Sequence, residues 1–160
     1  MNEPSQSETP GQPVGRTRYG ELTLDQIAEV QPGLGRLMPL VSDRYWIMYY
    51  AARGGNWALA RYCLDQIRAL FRVGATTRPQ FRSFLEAFDR GHLTALEGAI
   101  QARDFHAFEV AYRRGIEGAN AMHAATGHPE IVWQLPPTPP QHLYLGPLGA
   151  PGHAHPTTEE

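Results

Sequence analysis

The sequence predicts an all-α protein, an up-down antiparallel four-helix bundle with irregular, Pro-rich tails. Three observations lead there. Apolar residues recur at spacings of three and four through residues 24–125, the period of a helix with one buried face. Glycine, proline, asparagine and aspartate punctuate that pattern at intervals that suit helices rather than strands. Few segments alternate with the period of two that a half-buried strand needs.

Thr23 stands where it can cap a short helix over residues 24–30, which Pro32 and Gly33 then end. A longer helix is expected from about Met38, because proline suits a first turn and Pro39 follows directly, to about Arg53. Gly54 and Gly55 stop it, and Asn56 is a suitable N-cap for the next, from Trp57 to about Val73, where Gly74 ends it. Pro79 opens a third helix, from Gln80 to about Ala102, and Gly91 in its interior predicts a kink or short break near Arg90 to His92. Asp104 caps a fourth, from Phe105 to about Ala125, which meets Gly127. The connections at 54–56 and near 103 are short, which favours antiparallel neighbours. Ile131-Val132-Trp133 is apolar but lies between Pro129 and Pro136, so it reads as a packed tail rather than a strand.

At 160 residues the chain suits one folded domain. Residues 1–20 are polar with three prolines and are expected to be disordered; residues 21–135 carry the helices; residues 136–160, with seven of the fourteen prolines, form a Pro/His-rich tail. A net charge of −2 supplies no basic field for nucleic acid. No apolar run reaches the roughly 18 residues of a membrane helix, so membrane insertion is not expected. The amino terminus has none of the charged, apolar and small-residue regions of a secretory signal, and the one cysteine, Cys63, suits a reducing compartment, so the expected location is cytoplasmic. Cys63 falls among Leu59, Tyr62 and Ile67 on a predicted helix, where a buried, inert thiol is expected.

The stretch Ala119-Asn120-Ala121-Met122-His123 bears most directly on function. Its spacing is that of the haem-attachment motif C-x-x-C-H, in which two thiols bond the haem vinyl groups and the histidine ligates iron. His123 fills the ligand position, but Ala119 and Met122 stand at the cysteine positions, and neither side chain can form a thioether. Around this run, Pro32-Gly33-Leu34-Gly35, Tyr49-Tyr50-Ala51-Ala52-Arg53-Gly54-Gly55-Asn56-Trp57-Ala58-Leu59-Ala60, Thr76-Thr77-Arg78-Pro79, Leu96-Glu97-Gly98-Ala99-Ile100-Gln101-Ala102-Arg103-Asp104, Ala107-Phe108-Glu109, Gly127-His128-Pro129 and Leu135-Pro136 occur in order. Over residues 32–137 the chain resembles small bacterial c-type cytochromes of the cytochrome c′-like four-helix type, which carry C-N-A-C-H near the end of the last helix. The resemblance implies a four-helix cytochrome-like scaffold without covalent haem, and a homodimer or another protein partner.

Helical spacing puts His123 on one stripe with Phe105, Phe108, Tyr112, Ile116 and Ala119, facing the core. Leu37, Leu40, Val41, Tyr45, Met48 and Tyr49 make a similar stripe, and Trp57, Ala60, Leu64 and Ile67 a third. Three readings of His123 follow: a core histidine satisfied by a backbone carbonyl or a tyrosine, the axial ligand of a non-covalent haem iron, or part of a pocket for another ligand. Tyr45, Tyr49 and Trp57 are the candidate walls of such a pocket. Met122 and His123 are adjacent on a helix and point about 100° apart, so they cannot grip one iron from opposite sides.

The other candidates carry less. His153-Ala154-His155 has no cysteine partners for a structural zinc site and reads as a solvated tail. Gly33-Leu34-Gly35 lacks the strand and third glycine of a dinucleotide fingerprint. Ser42 and Ser83 have no base at a recognisable spacing. The carboxylates Asp43, Asp65, Glu86, Asp89, Glu97 and Glu109 make no Glu-x-x-His pair and read as solvated faces. Pro136-Pro137-Thr138-Pro139-Pro140 is a polyproline II candidate expected to wrap over its own helices rather than over a partner. The function expected is that of a non-catalytic accessory or ligand-binding helical protein, the alternative being a b-type haem protein in electron transfer or gas sensing.

Overall fold

A computed structural model describes residues 14–149. Residues 1–13 and the His153-Ala154-His155 tract lie outside the described residues. The described chain is mostly helical, as its periodicity predicts, and divides into two compact units between Pro32 and Gly33.

In the first unit, strands β1 (Val14–Thr17) and β2 (Gly20–Thr23) form an antiparallel hairpin with Val14 opposite Thr23 and Thr17 opposite Gly20. The expectation of disorder through residue 20 did not foresee it: the strands are four residues each and joined at Arg18-Tyr19, without a strong turn dipeptide. Thr23 then caps α1 (Leu24–Glu29) as predicted. Its hydroxyl accepts the Gln26 N–H at 3.2 Å, and the Gln26 side-chain oxygen accepts the Thr23 N–H at 2.9 Å, a reciprocal capping box.

The second unit begins with α2 (Leu34–Gly54), four residues before the start expected from Pro39. Pro39 sits inside the helix and forgoes one backbone bond. The extra turn places Leu37 in the core, with Leu34 and Met38 packed against it, and this burial offsets the missing bond. The helix ends at Gly55, whose φ of 85° lies in the left-handed region that glycine enters without a Cβ clash. Asn56 caps α3 (Trp57–Thr77), its side-chain oxygen accepting the Leu59 N–H at 3.0 Å.

Gly74 does not stop α3, which runs three residues past it. A Cβ there would lie 3.0 Å from Leu34 and 3.2 Å from Leu85, so this glycine allows three elements to pack closely. Pro79 opens a 3₁₀ turn, Pro79–Phe81, that leads into α4 (Arg82–Phe88). The predicted interruption is present as a π-helical segment, Asp89–Leu93, in which the Thr94 N–H reaches back to the Asp89 carbonyl. The chain continues as α5 (Thr94–Ala102), then α6 (Phe105–Ala125), capped by Asp104 at 3.0 Å to the Ala107 N–H.

Helix α2 packs along α3 and against α6, while α6 also packs on α4 and α5. Phe108, Tyr112 and Ala119 of the predicted α6 stripe are buried, with Phe105 and Ile116 packed against the core. The α2 stripe is buried as expected except for Leu40, which is 48 % exposed. The segment after α6 returns over the helices: the Tyr50 hydroxyl donates to the Pro136 carbonyl at 2.7 Å, the Trp46 indole to the Thr138 carbonyl at 3.0 Å, and the Asn56 amide to the Tyr144 carbonyl at 3.2 Å. Leu145 packs against the core, next to Gly54. No helix among the described residues is long and apolar enough to cross a membrane.

Candidate ligand-binding site

The last two turns of α6 carry the run that resembles an attachment motif. Ala119, Met122 and His123, the positions of its two cysteines and its histidine, together line a cavity of about 730 Å³. Leu34, Met38 and Val41 of α2, Phe71 of α3, and Phe84, Leu85 and Phe88 of α4 supply much of the remaining wall. Ile131 and Trp133 complete it from the segment after α6. The volume lies within the roughly 300–1,000 Å³ of small-molecule pockets, and the lining is mainly apolar with a few polar groups, as such pockets are.

His123 is half-buried, and its Nδ1 lies 3.0 Å from the Ile131 carbonyl oxygen. A carbonyl only accepts, so Nδ1 carries the proton of this hydrogen bond and the neutral ring keeps its lone pair on Nε2. A backbone carbonyl holding one ring nitrogen is how metal-binding histidines are commonly oriented. It is also the partner foreseen for a satisfied core histidine. The ring meets Trp133 edge-on at 5.8 Å between centroids.

Trp133 is fixed in turn by Asn120, inside the same pentapeptide. The Asn120 side-chain oxygen accepts the Trp133 N–H at 2.7 Å, and its amide donates to the Trp133 carbonyl at 3.2 Å. Asn120 thus clamps the post-helix segment so that its indole forms part of the wall. Sequence reasoning missed both residues; the available signal was an asparagine, an indifferent helix former, in the interior of an otherwise well-capped helix.

The three wall candidates named from sequence fall elsewhere. Tyr45 and Tyr112 stack at 4.3 Å and exchange hydrogen bonds, each hydroxyl donating to the other residue's carbonyl at 3.0 Å. Burial pushes both phenols far above their ordinary pKa. Tyr45 lies 5.6 Å from Trp133 and lines a smaller cavity of about 190 Å³. Tyr49 packs on Tyr112 and donates to Glu109 at 2.8 Å, and Trp57 meets Phe108 edge-on. None of the three lines the larger cavity; they belong to an aromatic core that continues from its Trp133 wall.

The π-helical segment bears on the site through His92, whose ring lies 4.8 Å from that of Phe88, the last residue of α4 and part of the cavity wall. His92 lies across Gly118 of α6, where a Cβ would overlap its ring, and burial holds its pKa below the ordinary histidine value. Cys63 is buried, as expected, with its thiol pushed up to about 11 by burial. Among the described residues no group of three or more histidine, cysteine, aspartate or glutamate side chains converges as a metal site. Glu109 pairs with Arg113 at 2.9 Å, and the bond from Tyr49, followed by that from Arg113, keeps its carboxyl below the ordinary range. No family model, curated protein or solved structure matches the chain.

Proposed function

We propose that this protein is a non-catalytic, ligand-binding helical bundle of the up-down cytochrome c′-like type, working without covalently attached haem and serving as an accessory subunit to a protein partner or as a homodimer. One observation carries this reading: the three positions of the degenerate motif, Ala119, Met122 and His123, line one apolar cavity of about 730 Å³. A pocket of this size and apolar lining suits a small-molecule occupant.

A second reading follows from His123 itself. With Nδ1 donating to Ile131, Nε2 has the lone pair that an axial iron ligand supplies. His123 would hold a non-covalent haem, Trp133 and the apolar side chains of α2 and α4 would enclose it, and the iron would supply electron-transfer or gas-binding chemistry. The donor set fits one protein-derived axial ligand, since Met122 diverges from its neighbour by about 100° around the helix.

A visible absorption spectrum of protein produced with ample haem, followed by haemin titration of wild type and His123→Ala, separates the readings. The ligand-binding bundle predicts no Soret band as purified. The b-type reading predicts a Soret band that His123→Ala shifts or abolishes, and equal titration of both proteins, or of neither, defeats it.

A further inference from the structure

We infer that Trp133 is the specificity-determining residue of this site: its indole is the partition that ends the larger cavity and sets the length of the apolar ligand admitted there. The inference rests on the ligand-binding reading proposed above. Ser42 and Trp133 line both the larger cavity and the smaller one of about 190 Å³, so the two spaces meet at that pair. The rings on either side of the indole locate the boundary. His123, at 5.8 Å between centroids, lines the larger cavity and not the smaller. Tyr45, at 5.6 Å, lines the smaller and not the larger. The serine side chain is short, so the indole supplies most of the barrier.

The two spaces differ in chemistry. The larger offers Met38, Phe84, Leu85, Phe88 and Met122 to an apolar body, and its methionines adapt to an irregular shape. The smaller has Ser42 and Gln134 in its wall beside Tyr45 and Tyr112. An apolar chain gains from each methylene buried in the larger cavity until it meets the indole. The position of that stop is set through the backbone. Val132 and Gln134 are exposed, while Trp133 between them is half-buried and turned towards the helices. Asn120 holds the Trp133 N–H at 2.7 Å and its carbonyl at 3.2 Å, and neither bond uses the indole. Replacing the side chain therefore leaves both bonds available.

Linear alkan-1-ols of increasing length, titrated into the full-length protein by calorimetry, read the boundary. In wild type each added methylene should tighten binding about fourfold, the ratio given by about 0.8 kcal/mol, up to a cut-off length beyond which affinity stays level. Trp133→Ala should extend that rise to longer chains, and Trp133→Phe, which keeps a ring between His123 and Tyr45, should extend it by less. Ile116 lines the smaller cavity and not the larger, so it separates a partition from the mere removal of bulk. Ile116→Phe alone should leave the wild-type cut-off unchanged, and added to Trp133→Ala it should restore that cut-off. A wild-type series without a cut-off, an unmoved cut-off in the folded Trp133 variants, or a gain that Ile116→Phe does not reverse overturns the inference and leaves the ligand-binding reading in place. Failure of every alcohol and of haemin to bind the folded wild type removes that reading as well.

Discussion

The close approach of α2 to α6 rests on Gly115, and replacing it with alanine should cost more than a helical glycine usually gives back. A Cβ at this position would overlap the Tyr45 hydroxyl and lie 3.2 Å from its Cζ. That hydroxyl is buried and tied at 3.0 Å to the Tyr112 carbonyl, so it cannot swing aside without losing its bond. Overpacking costs about 1–3 kcal/mol, the displaced hydrogen bond about 1 kcal/mol, and the better helix propensity of alanine returns about 1 kcal/mol. The net expectation is a loss of about 1–3 kcal/mol. Tyr45→Phe removes the overlapping oxygen, and in that background Gly115→Ala should fall to within about 1 kcal/mol of neutral, since the remaining ring contact needs only a small shift. The assay is a double-mutant cycle by urea denaturation. Additive effects, with the same cost in both backgrounds, would refute the packing reasoning.

Asn120→Ala should lower stability by about 1–3 kcal/mol through loss of both bonds to the Trp133 backbone, and amide exchange should accelerate at Trp133 and its neighbours. Glu97, held below its ordinary pKa of 4.5 by the Arg68 hydrogen bond at 2.9 Å, contributes stability above that pKa and loses it as pH falls through its folded value. Glu97→Gln should therefore be less stable than wild type at neutral pH, with the two urea midpoints converging in acid. His92, depressed by burial below 6.5, stabilises the fold fully above 6.5 and progressively less as pH falls through 6.5 towards its folded value; His92→Gln should show a shallower decline over that window. Ala119→Cys with Met122→Cys, exported beside a cytochrome c maturation system, should take up haem covalently in partial yield, read as a mass increase of one haem. A folded, exported double variant without that mass would show that the cavity does not admit the macrocycle.

The elements that were legible in the sequence are those whose signals are local. Asp104 before Phe105, Asn56 before Trp57 and Thr23 before Leu24 each name a helix start, because a cap is a contact across three residues. Gly91 marked the π-helical interruption for a similar reason. Gly74 and Pro39 were misread because their meaning is tertiary: the glycine admits Leu34 and Leu85, and the proline is carried by the burial of Leu37. At the site, helical spacing located His123 and Ala119 on an inward stripe, and both line the cavity with Met122. The walls opposite were not legible. Trp133 reaches the site through Asn120, thirteen residues away, from a segment without periodicity. The conspicuous aromatics Tyr45 and Tyr49 of α2 instead hydrogen-bond to Tyr112 and Glu109 of α6. Their residue type suggested a pocket wall, but their partners lie on the neighbouring helix α6.

Entry of a ligand into the cavity beside Ala119 can be followed by a fluorescence titration with anilinonaphthalene sulfonate, an apolar anion. Ala119 is buried and faces the cavity, so Ala119→Phe should fill part of the space without touching the Asn120 clamp. Wild type should bind the probe saturably at one site, with energy transfer from tryptophan, and that binding should be lost in an Ala119→Phe protein that keeps its helical circular dichroism and cooperative unfolding. Equal binding by the two folded proteins would place the probe elsewhere and contradict a ligand site in this cavity.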